Sequence, residues 1–125
     1  MASVQELADE WIAYWRHHAE TGKFPDSDVS CEVDRLARDQ PETAWEVILA
    51  ILSRLGSDAS DTLVQVLAAG PLEDLLAEHG ESFIDRVERK SRVDARFRFL
   101  LGGVWQNAMA RDVWQRVQRC RNEVW

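Results

Sequence analysis

Cysteine is scarce in this chain of 125 residues, and long hydrophobic runs are missing. The two cysteines, Cys31 and Cys120, follow an N-terminal stretch with neither a basic start nor an apolar core, so we expect free thiols rather than a disulfide. No run approaches the roughly 20 apolar residues that a membrane-spanning helix needs. Alternating strand patterns joined by tight hairpin turns are also missing. These absences predict a cytoplasmic protein with neither a transmembrane segment nor β-structure.

Negative charge predominates, and the two signs are unevenly distributed along the chain. There are 22 acidic and 15 basic side chains, which give a net charge of −7. Residues 1–80 hold 16 acids and 5 bases, whereas residues 81–125 hold 6 acids and 10 bases. Net acidity argues against nucleic acid as a partner, because phosphate contacts require lysine and arginine. It favours a partner protein with a basic face.

The strongest structural signal is the apolar segment that begins at Pro41. Proline suits the first position of a helix, where its missing N–H costs nothing, and Glu42 lies near the positive end of the helix dipole. The apolar side chains that cover most sides of this segment are Trp45, Val47, Ile48, Leu49, Ile51, Leu52 and Leu55. A helix of this kind must be surrounded by other helices. The sequence therefore predicts an all-α fold with this helix at its centre.

Helical spacing and helix-breaking residues divide the chain into seven or eight helices. We expect them at about 3–20, 28–38, 41–55, 57–69, 71–79, 81–91, 94–107 and 110–122. Ser57 or Asp58 would cap the fourth helix. Gly70 and Gly80 are interpreted as helix ends. The pair Gly102-Gly103 is interpreted as part of a helix, at a close approach to another helix.

The length predicts one compact domain over residues 1–125. It would consist of N-terminal helices in 1–39 and a core in 40–122. The helix pairs of the core fit either a short helical-repeat stack, as in an α-solenoid, or an irregular bundle.

The densest group of side chains that could bind a metal surrounds Gly80. It consists of Asp74, Glu78, His79, Glu81 and Asp85. No histidine or cysteine pair has the spacing of a metal site, and the adjacent His17 and His18 would point about 100° apart on a helix. A solvated acidic surface is therefore favoured over a metal centre. We expect no metal and no cofactor, and no motif identifies a catalytic residue.

Two further features leave alternatives open. The first is a basic strip, which consists of Arg86, Arg89, Lys90, Arg92, Arg96 and Arg98. It either binds an anion or neutralises acidic groups within the fold, and the second interpretation is favoured. The second feature is Trp105-Gln106-Asn107. These residues either form a recognition pocket with amide groups or place Trp105 in the core beside Trp114 or Trp45, with Asn107 as a helix cap.

Three sequence blocks resemble a family of small bacterial proteins of unknown function. The blocks are AWEVIL at 44–49, VLAAGPLEDLL at 66–76 and LLGGVWQN at 100–107. The likeness covers about residues 40–118, and residues 1–39 add nothing to it. The resemblance implies a bacterial, intracellular, helical domain and carries no activity.

The expected function is that of a non-enzymatic protein-binding module. A concrete form is an inhibitor of the immunity or antitoxin type, which would block a basic enzyme through an acidic surface with an aromatic anchor. The candidate contact residues are Trp11, Tyr14, Trp15, Glu73, Asp74, Glu78 and Trp125. Trp125 would serve as an exposed anchor unless it docks onto the fold.

Two other function classes remain as alternatives. One is a small-ligand-binding protein or enzyme with a site near Trp105-Gln106-Asn107 and the acidic pair Glu73 and Asp74. The other is nucleic-acid binding through the basic strip, which the net negative charge disfavours.

Overall fold

Seven α-helical segments and one π-helical turn form the structure, a computed structural model that describes residues 2–55, 62–121 and 124–125. Strands do not occur among these residues, so the predicted all-α fold is confirmed. The expected cap at Ser57 or Asp58 lies outside them. The segments are α1 (Val4–Thr21), α2 (Val29–Asp39), α3 (Pro41–Arg54), α4 (Thr62–Leu67), the π turn (Ala68–Leu72), α5 (Glu73–Val93), α6 (Ala95–Leu101) and α7 (Arg111–Cys120).

Local capping explains where α1 begins and ends. The Ser3 hydroxyl accepts a hydrogen bond from the Glu6 N–H at 3.1 Å. At the other end, Gly22 adopts a left-handed backbone with φ of 73°, and its N–H donates to the His18 carbonyl at 2.8 Å. The chain therefore turns sharply after α1.

The apolar segment that begins at Pro41 is α3, and it lies at the centre of the fold as predicted. It contacts α1, α2, the π turn and α5. Its fully buried side chains are Ala44, Val47, Ile48 and Ile51. The Trp45 ring packs on Phe83 and Phe97, at centroid distances of 5.9 and 5.6 Å. The surrounding helices are therefore held by one shared core.

The expected helix end at Gly70 is wrong, because the chain stays helical through Pro71. In the π turn between α4 and α5, the Glu73 N–H reaches back to the carbonyl of Ala68. Proline has no N–H, so a regular α-helical ladder loses one bond at this point. The π turn shifts the ladder by one residue without ending the helix. Glu73 follows directly as the first residue of α5.

The helix break expected at Gly80 lies one residue earlier, within the segment α5. His79 has a non-helical backbone, with φ of −131° and ψ of 25°, and this kink divides α5 into two helices. Gly80 lies where α5 approaches α7, and a Cβ at this position would be 2.8 Å from Cγ1 of Val113. The glycine therefore permits a close helix contact directly after the kink.

The expectation that Gly102 and Gly103 continue a helix is wrong. α6 ends at Leu101, and both glycines lie in the turn that follows. Each glycine would cost a helix about 1 kcal/mol relative to alanine, which favours the turn. A Cβ on Gly103 would be only 2.5 Å from Cη2 of Trp125. A close approach does occur here, but the neighbour is a tryptophan ring and not a helix.

The helices close on one core and do not stack in a line. α4 contacts α1 and α6, and α2 contacts α5, which are contacts between elements outside a sequential stack. The buried hydrophobic residues form one cluster. Of the two expected architectures, the irregular bundle describes these contacts. No helix within the described ranges is both long and apolar enough to cross a bilayer.

Candidate functional site

An aromatic cluster lies at the C-terminal half of α1. Tyr14, Trp15 and His18 share one side of the helix, and the loop after α1 brings Phe24 back onto them. Centroid distances are 5.3 Å for Tyr14–Trp15, 5.6 Å for Trp15–His18 and 4.1 Å for His18–Phe24. Phe24 is nevertheless 62% exposed. We call Tyr14, Trp15, His18 and Phe24 the α1 aromatic cluster.

The three aromatic contact residues expected on α1 differ in exposure. Trp11 is 1% exposed, so it is not an exposed anchor: with Leu7 and Ala8 it forms the buried face of α1. Tyr14 and Trp15 are half-buried. The indole N–H of Trp15 is buried and has no hydrogen-bond partner in the described part of the chain. Buried donors without partners are rare, which distinguishes this cluster from ordinary core packing.

Glu73 was expected on an acidic contact surface, but it lies inside the protein. The residue is only 8% exposed. Its Oε1 accepts a hydrogen bond from the backbone N–H of Trp105 at 2.8 Å, and its Oε2 accepts one from Nδ2 of Asn107 at 2.5 Å. Both carboxylate oxygens are therefore occupied. The first residue of α5 holds the loop after α6 in place.

The loop held by Glu73 presents Trp105 to solvent. Trp105 is 55% exposed, so the expectation that it packs in the core beside Trp114 or Trp45 is wrong. Asn107 has a positive φ of 42°, a conformation that asparagine tolerates better than most residues. It binds Glu73 instead of capping a helix. The backbone bond from Trp105 leaves the indole free to point outward.

Trp125 is docked onto the fold and is not an exposed anchor. Its ring stacks on Phe99 with centroids 5.1 Å apart and an interplanar angle of 12°. The indole N–H donates to the Phe99 carbonyl at 2.7 Å, and the backbone N–H donates to the Gly102 carbonyl at 3.0 Å. A cleft of about 260 Å³ lies between Trp125 and Trp105. We call Glu73, Trp105, Asn107 and Trp125 the Glu73 corner.

The other acidic candidates, Asp74 and Glu78, lie on the side of α5 that faces α2. Asp74 is half-buried and Glu78 is exposed. Burial, followed by the nearby charges of Asp34 and Glu73, raises the pKa of Asp74 above its ordinary value. Burial also raises the pKa of Asp34. Among the described residues, no group of three or more His, Cys, Asp or Glu side chains is placed to hold a metal ion.

Part of the basic strip is neutralised within the fold. Arg86 forms a bidentate ion pair with Glu42, with N–O distances of 2.6 and 2.7 Å, and this contact lowers the pKa of the carboxyl group. Lys90 lies 3.3 Å from Asp94. For these two bases the structural interpretation of the strip is the correct one.

Several functional candidates were missed because their neighbours are distant in sequence. Phe24 reaches the cluster only through the Gly22 turn. Arg116 of α7 binds Asp85 at 2.6 Å and also binds both carboxylate oxygens of Glu88. No periodic pattern links these positions, so the sequence carries no local signal for either contact.

Comparison with known proteins identifies a family. Neither a curated protein nor a solved structure matches this chain. The model of a family of unknown function, DUF6869, matches residues 17–124. This match includes all of α2 and the end of α1, so the likeness extends further towards the N-terminus than the three sequence blocks implied. The chain belongs to the DUF6869 family.

Proposed function

We propose that this protein is a non-enzymatic, cytoplasmic protein-binding module, and that the α1 aromatic cluster contacts a partner protein with a basic face. The observation that carries the proposal is the exposure of Phe24, at 62%, on top of three other rings. Burial of such a side chain at an interface contributes about 1.5–3 kcal/mol. Aromatic anchors of this kind dominate the energetics of protein interfaces.

The charge around the cluster supports a basic partner. Residues 1–40 contain nine acidic and four basic side chains. Glu10 lines a shallow cleft of about 360 Å³ beside Tyr14, and Glu20 and Asp26 are exposed on either side of the turn. Acidic groups around an apolar centre accelerate encounter with a positively charged surface and select against acidic ones.

The unpartnered N–H of Trp15 also supports a binding role. A buried donor without a partner lowers the stability of the fold. Natural proteins retain such local costs mainly at functional sites. The buried carboxylate of Glu73, in contrast, has both oxygens occupied, which supports a structural rather than a catalytic role for that group.

An inhibitor of the immunity or antitoxin type is the more specific form of this proposal. Such a protein blocks a basic enzyme by covering its active face, and it needs only a complementary surface without chemistry of its own. The acidic side of α1 and α2 has the required sign of charge.

The test compares capture of partners by the wild type, by F24A and by V93A. Val93 is 82% exposed on α5, far along the chain from the cluster, and serves as the matched control. We expect one basic protein to be retained by the wild type and V93A and lost, by about tenfold or more, with F24A. Retention should also fall at high salt. Equal capture by F24A, or a partner without a basic face, would contradict the proposal.

A second candidate function is small-ligand binding at the Glu73 corner. The observation in its favour is the cleft between Trp105 and Trp125, whose other lining residues are Gln65, Ala69 and Gly103. Two rings beside one amide suit a planar heteroaromatic molecule. Titration with adenine, followed through the indole N–H signals of the two tryptophans by NMR, tests this candidate. Unchanged signals at millimolar adenine would rule out this ligand class.

A further inference from the structure

Three arginines of separate helices line one cleft. Arg92 lies near the end of α5, Arg98 near the end of α6 and Arg119 near the end of α7. The cleft has a volume of about 270 Å³, and its remaining lining residues are Glu88, Ser91 and Cys120. We call it the arginine cleft. The basic strip supplied only two of its three cations, because Arg119 joins them through tertiary packing.

The one carboxylate among the described lining residues, that of Glu88, shares a cation with Asp85. Arg116 binds both oxygens of Glu88 from outside the cleft. Neither Arg92 nor Arg119 forms a salt bridge with a described carboxylate, although the charge of Arg92 helps to lower the pKa of Glu88. The guanidinium of Arg98 donates to the Ser91 carbonyl at 2.5 Å, which fixes its position at the cleft. Three arginines and one carboxylate therefore line the cleft.

The helix dipoles explain part of this arrangement but not all of it. All three arginines lie in the last turn of a helix, where a cation is favoured. Each helix end contributes at most about half an elementary negative charge, whereas each arginine contributes a full positive charge. Asp85 and Glu88 share the one cation of Arg116 and so leave about one more negative charge nearby. The cleft still keeps a net positive charge, in a protein whose net charge is −7.

We propose that the arginine cleft binds the phosphate group of a small phosphate monoester. A guanidinium fork matches phosphate oxygens in a bidentate manner, and three forks suit a dianion. The acidic remainder of the protein would repel an extended polyanion such as nucleic acid, so a compact ligand is favoured. This site is independent of the α1 aromatic cluster, since it lies on α5, α6 and α7.

The two free cysteines allow a test that needs no added label. Cys120 lines the arginine cleft, whereas Cys31 is exposed on α2. Alkylation by anionic iodoacetate and neutral iodoacetamide is followed at each cysteine by mass spectrometry. At Cys120 we expect the rate with iodoacetate, divided by the rate with iodoacetamide, to fall about threefold in R119Q. The same ratio should stay unchanged in R89Q, which removes an exposed arginine outside the cleft. Equal ratios in all three proteins would overturn the proposal.

Direct binding provides the second test. Inorganic phosphate, phosphoserine and a ten-nucleotide single strand are titrated at constant ionic strength and followed by NMR, with circular dichroism to check that each variant folds. We expect both phosphate compounds to bind, to protect Cys120 but not Cys31, and to lose about tenfold in affinity in R119Q but not in R89Q. Absence of binding, or equal loss in both variants, would overturn the proposal. Tighter binding of the oligonucleotide would replace it with nucleic-acid recognition.

Discussion

Trp15 and Trp125 are both half-buried tryptophans, but their indole N–H groups are in opposite situations. The N–H of Trp125 donates to the Phe99 carbonyl at 2.7 Å, and the ring stacks on the Phe99 ring. The N–H of Trp15 is buried with no partner among the described residues. One tryptophan thus closes a fully paired corner of the fold, while the other leaves a polar group unpaired beside an exposed phenylalanine.

The two aromatic surfaces therefore differ in how completely their polar groups are paired. At the Glu73 corner, two carboxylate oxygens, one indole and several backbone groups have partners. These paired groups contribute to the stability of the fold. The α1 aromatic cluster combines the exposed Phe24 ring with an unpaired buried indole N–H, which is why we propose this cluster as the contact surface.

The largest expected effect comes from breaking the paired corner at its carboxylate. E73Q places an NH₂ group against one of the two donors and removes the charge. We expect the free energy of unfolding to fall by about 3 kcal/mol, because a charge-assisted hydrogen bond is lost and the new amide NH₂ group at the buried position 73 faces another donor. Urea unfolding measures this change, with E81Q on the exposed side of α5 as control. A loss below about 1 kcal/mol would show that Glu73 does not hold the loop.

A smaller loss is expected when the ring of Trp125 is displaced. G103A puts a Cβ 2.5 Å from that ring, whereas Gly70 has no atom within 4 Å of the equivalent position. We expect G103A to lower the free energy of unfolding by about 2 kcal/mol through overpacking, and G70A to leave it unchanged or slightly higher. Tryptophan fluorescence during thermal unfolding follows both variants. If the two glycine variants behave alike, Trp125 is not packed as described.

Two equivalent substitutions test the difference between the indole N–H groups of Trp15 and Trp125. W125F and W15F remove the same atoms, but only W125F removes a hydrogen bond. We expect W125F to be about 1 kcal/mol less stable than W15F. Denaturant unfolding of both variants under one set of conditions gives this difference. The reverse order would mean that the Trp15 N–H has a partner in solution.

The smallest effect is expected for Asp74, whose carboxylate differs from that of its neighbour Glu73. Glu73 accepts two hydrogen bonds, whereas Asp74 accepts none among the described residues. Because the pKa of Asp74 is raised in the folded state, its ionised form destabilises the fold at neutral pH, and this penalty disappears as the pH falls through the raised pKa. D74N should therefore raise the melting temperature slightly at pH 7 and not at pH 3. An equal rise of the melting temperature at pH 7 and pH 3 would contradict the raised pKa of Asp74.

Local signals in the sequence predicted some of these features and missed others. The start of α3 at Pro41 and the turn at Gly22 follow from single residues with strong preferences, and both are confirmed. The π turn was missed, because glycine followed by proline is the ordinary signal for a helix end. This signal does not require the helix to end, since a shifted hydrogen-bond ladder accommodates Pro71.

The sites depend on contacts that no local pattern encodes. The sequence grouped Glu73 with Trp105 and Asn107 in one alternative, and the structure brings them within hydrogen-bond distance. It did not predict that Glu73 is buried, because the donors lie more than 30 positions away along the chain. The same separation hid Arg119 from the basic strip.

The π turn also has a consequence for the phase of the helices on either side of it. Buried positions 63, 67, 71 and 75 recur every four residues, as do 64, 68, 72 and 76. Since an α-helix repeats every 3.6 residues, such a stripe would drift by about 40° at each step, and the extra residue of the wider turn corrects the drift.

Chain length at this point is therefore coupled to a loop more than 30 positions away. Deletion of the exposed Ala69 would remove the extra residue of the wider turn and would rotate every later residue of α5 by about 100° relative to α4. Glu73 would then face away from Trp105 and Asn107. In this fold, the number of residues between Leu67 and Glu73 controls whether the loop after α6 has an anchor.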